Sequence, residues 1–364
     1  RYIGLLIMLA VLIAAGCGGG ASGASGGGDG PANGAAGPST TGGATGAATG
    51  DSSANVSIRW DYYLFVGWTH PIGEYAMRFA DAVRERTGGR LEITVRPAGE
   101  LPYGAAEMVR AVGEGRVQLG DGLATFITGE ARVAAVPALP FLVTEVDELE
   151  AIWPTLKLHV DQAFADYGAQ TLFIYTWPTQ NVWGRGEPIR TLADFRGRKI
   201  RQTSPEHGAL IARLGGEPVT FTTAEVPTAL QRGVMNAVLS AAFNIRGAKW
   251  YEFLEWGYIL DFGLVPSYIL VNREAYAGLP DDVRAALDEV AAEFQAEMLA
   301  GIPARELDDR QALATEHGIE LIEAADADRR AAVELMASYW DEWAREGGPE
   351  TVEALAAVRA ILGK

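Results

Sequence analysis

Arg201 is the residue of this sequence best placed to bind an anion. It belongs to the segment 199–202 (KIRQ), which reads as a short strand, and alternation along a strand turns Arg201 away from a core that holds Ile200. Ser204 and Pro205 then favour a helix N-terminus. A guanidinium at the carboxyl end of a strand, beside free helix N–H groups, suits a carboxylate. The residues alone also allow a plainer interpretation, in which Arg201 pairs with a surface acid.

The composition argues against several kinds of function. The chain has 364 residues, enough for two lobes, and its 48% hydrophobic and 21% charged residues are typical of a globular protein. A formal net charge of −17 argues against nucleic acid as a partner. The only cysteine is Cys17, and the four histidines are far apart, so we expect no disulfide, no metal and no cofactor.

The first part of the chain predicts export and a tether. Residues 1–16 are an apolar run too short to span a membrane comfortably, which indicates a signal peptide. Ala14-Ala15-Gly16-Cys17 resembles a bacterial lipobox, with Ala14 in place of the usual Leu, and predicts lipidation of Cys17. The alternative is a signal peptide without lipidation. Residues 17–54, rich in Gly, Ala, Ser and Thr, are typical of a flexible tether.

Strands and helices alternate in the segment that follows. Apolar and β-branched residues predict strands over 58–66, 91–97 and 117–123. Helical spacing of apolar residues predicts a helix over 72–86, and a second helix is expected over about 105–115. This alternation predicts a mostly parallel sheet with helices on both faces.

Longer segments, in order along the chain, resemble the extracytoplasmic substrate-binding proteins of TRAP transporters, the DctP family. The resemblance covers roughly residues 56–325. Its motifs are HPIGEYAMRFADAVRERTGGRLEITVRPAGEL (70–101), VPALPFL (136–142) and DFRGRKIRQTSPEHGALIARLGGEPVTFTTAEVPTALQRGVMNAV (194–238). Their order carries the resemblance, since none of them is decisive alone.

The resemblance implies a type II periplasmic-binding-protein clamshell. Two α/β lobes would be joined by hinge strands and by a long spanning helix that starts after Pro280 and that Pro303 should kink or break. The expected organisation is a signal peptide (1–16), a lipidated cysteine and tether (17–54), lobe I (55–177 and 267–306) and lobe II (178–266 and 307–364).

The resemblance also implies that Arg201 pairs with a substrate carboxylate. Two positions depart from the common dicarboxylate and acidic-sugar pattern. Gln180 stands where many relatives have a second arginine, and Ser240 stands where the family has a ligand-contacting asparagine. Asn244 could replace the lost hydrogen bond. Leu239, at the position of the preceding acid, argues against a metal ion that bridges ligand and protein.

Aromatic residues are dense where the cleft should lie, although each could equally pack in the core. Together with Gln180 and Ser240 they suggest a pocket of low polarity and a monocarboxylate with an apolar or aromatic body. The predicted substrate-binding residues are Arg201, Gln180, Ser240, Asn244, Phe126, Tyr63, Trp68 and Trp177.

The function implied by the resemblance is capture of an organic acid and its delivery to the small and large TRAP membrane subunits. The protein would reside in the periplasm or on the outer face of the cytoplasmic membrane, held by its lipid anchor. Three other functions stay open: a ligand sensor for a signalling receptor, an α/β enzyme, and a structural lipoprotein. An enzyme is disfavoured, because no GxGxxG follows a strand and no phosphate-binding loop is present.

Overall fold

The computed structural model describes residues 57–223 and 225–364. The predicted signal peptide, the lipidation of Cys17 and the tether lie outside these residues. Within them the chain forms eleven strands: β1 (Ile58–Tyr63), β2 (Leu91–Arg96), β3 (Leu119–Leu123), β4 (Ala169–Trp177), β5 (Asn181–Gly184), β6 (Lys199–Gln202), β7 (Glu217–Thr220), β8 (Ala237–Ser240), β9 (Trp256–Ile259), β10 (Val265–Asn272) and β11 (Glu320–Glu323).

The described residues also form ten α-helices: α1 (Pro71–Arg86), α2 (Met108–Gly113), α3 (Val146–Ala165), α4 (Pro205–Arg213), α5 (Val226–Gln231), α6 (Ala242–Gly247), α7 (Arg273–Ala277), α8 (Asp281–His317), α9 (Asp326–Gly347) and α10 (Pro349–Leu362). Short 3-10 turns connect several of them. None of these helices is both long enough and apolar enough to cross a membrane.

The strands form two mixed sheets, and each sheet is the centre of one lobe. The sheet of lobe I has the order β2-β1-β3-β10-β4, with β1 parallel to both neighbours and β10 antiparallel to both. The sheet of lobe II has the order β11-β9-β5-β8-β6-β7, in which β6, β7 and β8 run parallel. The chain passes from the first sheet to the second between β4 and β5 and returns between β9 and β10, so the segments 178–180 and 260–264 cross between the lobes. Strand β11 joins the second sheet later, after α8. This is the two-lobed α/β arrangement that the sequence predicted.

Local sequence signals explain where several elements begin and end. The His70 side chain caps α1 by accepting a hydrogen bond from the Ile72 N–H, and Pro71 occupies the first helical position. Every residue of β10 is buried, which fits its position between β3 and β4 in the interior of the sheet. The helix predicted over 72–86 and the strand predicted at 199–202 are both confirmed.

The long helix α8 spans both lobes. It begins at Asp281, as predicted, and packs against α1 and β4 of lobe I and against α6 of lobe II. Of the kink or break predicted at Pro303, the break is wrong, since the helix continues to His317. Proline removes one helix hydrogen bond, and packing on both lobes holds the helix together at this point.

The two C-terminal helices do not both belong to lobe II. Helix α10 packs against α9 and, to the same extent, against α3, which lies on lobe I. Helix α9 contacts both lobes, because the indole of Trp340 donates to the Pro140 carbonyl at 2.9 Å and that of Trp343 donates to Glu206 at 2.7 Å. The predicted assignment of residues 307–364 to lobe II therefore differs from the packing of α10.

Candidate ligand-binding cleft

Arg201 is buried at the carboxyl edge of the lobe II sheet. Its side chain is only 3% exposed, whereas the neighbouring Lys199 is exposed. The Arg201 Nε–H donates to the Phe221 carbonyl at 3.0 Å, and the guanidinium carbon lies 5.5 Å from the centroid of the Trp250 ring. One edge of the guanidinium is thus fixed by protein contacts.

No carboxylate of the described residues forms an ion pair with Arg201. Burial alone lowers the pKa of this guanidinium to about 10. A buried charge without a counterion is costly, and a side chain of this kind is normally paired or hydrogen-bonded. Pairing with a surface acid, the plainer interpretation of the sequence, is therefore not what the structure shows. A carboxylate that entered the cleft would supply the missing counterion.

Helix α4 begins at Pro205, shortly after Arg201 in the sequence. The Ser204 hydroxyl accepts the His207 N–H at 3.3 Å, so Ser204 is the N-cap predicted from the sequence. The His207 ring pairs with the Thr203 hydroxyl, 2.7 Å from Nδ1. Burial, followed by the charge of Arg201, lowers the pKa of His207 to about 3. His207 is therefore neutral at physiological pH, and Arg201 is the charged member of this cluster.

A cavity lies in front of Arg201, between the two lobes. The parallel strands β6, β7 and β8 bring their carboxyl ends to it from lobe II, and the segments after β1 and β3 reach it from lobe I. The lining residues are Phe65, Val66, Leu123, Thr125, Phe126, Trp177, Gln180, Arg201, Thr203, Thr223, Ser240, Asn244 and Val265.

The two walls of the cavity differ in polarity. The wall on lobe II carries the Arg201 guanidinium and the polar side chains Thr203, Thr223, Ser240 and Asn244. The wall on lobe I is largely apolar and consists of Phe65, Val66, Leu123, Phe126, Trp177 and Val265, with the Thr125 hydroxyl and the Trp177 indole N–H as its polar groups. The cleft therefore fits a molecule with an anionic end toward lobe II and an apolar body toward lobe I.

Some polar groups of the cavity lining have hydrogen-bond partners within the protein, and others do not. Gln180 donates from Nε2 to the Pro178 carbonyl at 2.8 Å, and Asn244 donates from Nδ2 to the Ser240 hydroxyl at 2.9 Å. In contrast, Thr125 Oγ1 and Trp177 Nε1 are buried and have no hydrogen-bond partner among the described residues. Both residues line the cavity, so a ligand polar group that reached either atom would supply the missing partner.

The structure brings six of the eight predicted site residues together and leaves two elsewhere. Tyr63 does not line the cavity, because its ring lies in the core of lobe I, 6.2 Å from that of Tyr103. Trp68 is 50% exposed and lies on an outer groove of lobe I with Met77. We therefore remove Tyr63 and Trp68 from the candidate site.

Three threonines of the cavity, Thr125, Thr203 and Thr223, were not among the residues predicted from the sequence. Thr203 and Thr223 follow β6 and β7, which pair in parallel, so their place at one edge could have been inferred from the strand order. Thr125 follows β3 and gave no comparable signal. No group of three or more acidic, histidine or cysteine side chains within the described ranges is arranged to hold a metal ion.

A mostly apolar cavity between two α/β lobes, with a buried cation on one wall, is typical of a small-molecule binding site. Residues 65–346 match the model of the bacterial extracellular solute-binding proteins, family 7, or DctP. The chain belongs to this family, which confirms the resemblance seen in its motifs.

Relatives and solved structures agree with this assignment. The chain is 27% identical over 293 residues to the C4-dicarboxylate-binding periplasmic protein DctP of Rhodobacter capsulatus, covering 80% of this chain and 87% of that protein. A marine metagenome TRAP solute-binding protein, specific for pyroglutamate and crystallised with co-purified pyroglutamate, superimposes with a TM-score of 0.77 at 28% identity. That match covers 84% of this chain and all of the other.

A second solved structure has the same fold. DctP6 of Bordetella pertussis, an extracytoplasmic solute receptor binding pyroglutamic acid, superimposes with a TM-score of 0.78 at 25% identity. It covers 83% of this chain and 100% of its own. The clamshell fold predicted from the sequence is therefore confirmed.

Proposed function

We propose that this protein captures a monocarboxylate with an apolar body between its lobes and delivers it to the membrane subunits of a TRAP transporter. The observation that carries the proposal is the buried Arg201 without a counterion, which faces an apolar wall across the cavity. The ligand carboxylate pairs with the guanidinium in two parallel charge-assisted hydrogen bonds. Its body packs against Phe65, Phe126 and Trp177.

The polar inventory of the cavity favours one carboxylate over two. Arg201 is the only lysine or arginine among the lining residues, and Gln180 is neutral. A second carboxylate would be buried without a cation, which is costly. This argues for a ligand unlike the C4-dicarboxylate in the name of the Rhodobacter capsulatus relative.

Pyroglutamate is the first ligand to test. It is a small monocarboxylate with a compact ring, and it is the ligand named for two of the structural neighbours. Its lactam oxygen is an acceptor that would supply the missing partner of Trp177 Nε1 or Thr125 Oγ1, both unpartnered among the described residues, if it reached either atom. An aromatic monocarboxylate is the second candidate, because Phe65 and Phe126 form an edge-to-face pair, with centroids 5.3 Å apart, in the wall of the cavity.

The proposed action is binding and hinge closure, without chemistry on the ligand. The open form admits the acid, closure buries it against Arg201, and the closed form docks on the permease. The proposal also includes a lipid anchor at Cys17, which would keep the receptor on the outer face of the membrane. Mass spectrometry of the exported protein tests the anchor, since a diacylglyceryl-modified Cys17 at the N-terminus supports it and an unmodified Cys17 contradicts it.

A thermal-shift screen of the full chain tests the ligand class. The panel contains pyroglutamate, an aromatic monocarboxylate, succinate and D-glucuronate. A ligand at a hundredfold excess over its Kd stabilises the folded state by about 2.7 kcal/mol, enough for a clear rise in Tm. Shifts with the monocarboxylates support the proposal. A rise in Tm with succinate or glucuronate alone would agree with a TRAP binding protein but would contradict a monocarboxylate as its ligand.

A further inference from the structure

Helix α6 carries Asn244 of the polar wall, and its N-terminus has no side-chain cap from its own N-cap residue. Ser240 ends β8, and Asn244 lies in the first turns of α6, whose N-cap residue is Ala241. Alanine has no side-chain acceptor, so Ala241 forms no capping hydrogen bond. The first N–H groups of α6 therefore need an acceptor from elsewhere.

Glu306 of the spanning helix α8 supplies that acceptor. One carboxylate oxygen accepts the Ala242 N–H at 3.0 Å and the other accepts the Phe243 N–H at 2.9 Å. Glu306 is 3% exposed, and burial raises its pKa to about 7, although Arg310 and the two N–H groups favour the carboxylate. A two-pronged contact of this kind fixes both the position and the rotation of α6.

The same carboxylate is joined to both segments that cross between the lobes. Arg310 donates to Glu306 at 3.0 Å, to the Thr179 hydroxyl at 3.1 Å, and to Asp261. Thr179 lies on the first crossing segment. Asp261 lies on the second, in a left-handed backbone conformation with φ 51°. One hydrogen-bonded chain therefore runs from the crossing segments, through Arg310 and Glu306, to the helix that carries Asn244.

We propose that Glu306 is a positioning residue that couples the hinge to the polar wall of the cleft. When the crossing segments change conformation, the chain through Arg310 moves α6, so that the Ser240–Asn244 wall reaches its binding geometry as the lobes close. The expected effect of Glu306 on ligand affinity rests on the proposed function. The coupling of Glu306 to the relative position of the lobes is independent of that function and can be measured without ligand.

Glu306→Gln and Asp309→Asn form a matched pair for the test. Asp309 is also a buried carboxylate of α8 that contacts α6, since it accepts from Arg246 at 2.6 Å. It touches neither the N-terminus of α6 nor Arg310 among its hydrogen bonds in the described residues. Asp261→Asn is a second probe, because it weakens the chain at its hinge end and leaves Glu306 in place.

The experiment measures interlobe distance and affinity at pH 8, where the Glu306 carboxylate is ionised. Spin labels are placed at Leu158→Cys on lobe I and Val234→Cys on lobe II, both exposed positions, in the full chain carrying Cys17→Ser. Electron–electron double resonance then gives the distance distribution with and without pyroglutamate, and calorimetry gives the Kd.

Glu306→Gln and Asp261→Asn should shift or broaden the ligand-free distance distribution, and Asp309→Asn should leave it unchanged. For pyroglutamate, Glu306→Gln should raise the Kd roughly tenfold or more, and Asp309→Asn should change it less than about threefold. If Glu306→Gln matches Asp309→Asn in the ligand-free distribution, the coupling is refuted. If the wild-type protein does not bind pyroglutamate, that choice of ligand fails, and the ligand-free distributions still decide the role of Glu306.

Discussion

The guanidinium carbon of Arg201 lies 5.5 Å from the centroid of the Trp250 ring, and the Arg201 Nε–H donates to the Phe221 carbonyl. Trp250 is 1% exposed, so the ring that contacts the guanidinium is a fully buried indole. These two contacts occupy one face and one edge of the guanidinium. The remaining N–H groups are presented to the cavity in a fixed orientation, which lowers the cost of ordering them when a carboxylate binds.

Trp250→Leu should weaken ligand binding although Trp250 does not line the cavity. A cation–π contact contributes about 0.5–2 kcal/mol, so the Kd should rise roughly 2- to 30-fold. Calorimetry with the best ligand of the thermal-shift screen gives the value. Trp256→Leu is the control, since Trp256 is a buried tryptophan of the same lobe without a contact to Arg201. Equal Kd values for the two variants would argue against this support of Arg201.

Phe126→Ala should weaken binding of a ligand with an apolar body. Burying a large apolar side chain stabilises by about 1.5–3 kcal/mol, so loss of this wall should raise the Kd roughly 10- to 150-fold if the ligand covers most of the ring. Trp68→Ala is the matched control, because Trp68 is an exposed aromatic of the same lobe outside the cavity. A larger effect from Trp68→Ala than from Phe126→Ala would place the ligand elsewhere.

Gln180→Arg should shift selectivity toward dicarboxylates. Gln180 lies at the back of the cavity and is 6% exposed, so an arginine there would add a second buried cation. The ratio of the succinate affinity to the pyroglutamate affinity, both measured by calorimetry, should rise at least about tenfold, as expected for one new charge-assisted hydrogen-bonded pair. Gln180→Met keeps the length without the charge and should not raise the ratio. An unchanged ratio in Gln180→Arg would contradict the role assigned to this position.

Asp121 should make stability depend on pH in a defined direction. It is fully buried in lobe I, and burial raises its pKa from 3.8 to about 7 against hydrogen bonds from Ser267 and Tyr175. Because the folded pKa lies above the unfolded one, the folded protein binds this proton more tightly. The contribution to stability is therefore fully present below about pH 4 and is lost as the pH rises through 7.

Asp121→Asn removes this titration. Relative to the wild type, the variant should be more stable at pH 8 than at pH 5, and urea unfolding of both proteins at the two pH values measures the difference. The comparison with the wild type cancels the contributions of other buried groups, such as His207. The same free-energy difference at both pH values would show that Asp121 does not titrate in this range.

Local signals predicted the parts of the site that local chemistry determines. The strand at 199–202 and the capping by Ser204 followed from alternation and from cap preferences, and both placed Arg201 correctly. The start of α8 at Asp281 followed from the preceding Pro280 and the acidic first turn. These features depend on residues a few positions apart in the sequence.

Other features of the site depend on tertiary packing and could not be predicted from the sequence. Trp68 is aromatic and follows a strand, yet nothing local shows that the chain turns it out to solvent while Phe65 faces the cavity. The continuity of α8 at Pro303 depends on the elements packed around it. Glu306, which lies far from Ala242 in sequence, shows no local sign that it caps another helix.

The most direct test of the central claim is calorimetry of wild-type protein, Arg201→Lys and Arg201→Ala with the best monocarboxylate of the screen. Loss of one partner of a buried charged pair costs about 2–5 kcal/mol, so Arg201→Ala should raise the Kd roughly 30- to several-thousand-fold. Arg201→Lys should raise it at least about tenfold, because an ammonium cannot reproduce the planar fork. Near-wild-type affinity in Arg201→Lys would contradict the bidentate contact, and near-wild-type affinity in Arg201→Ala would remove Arg201 from the site.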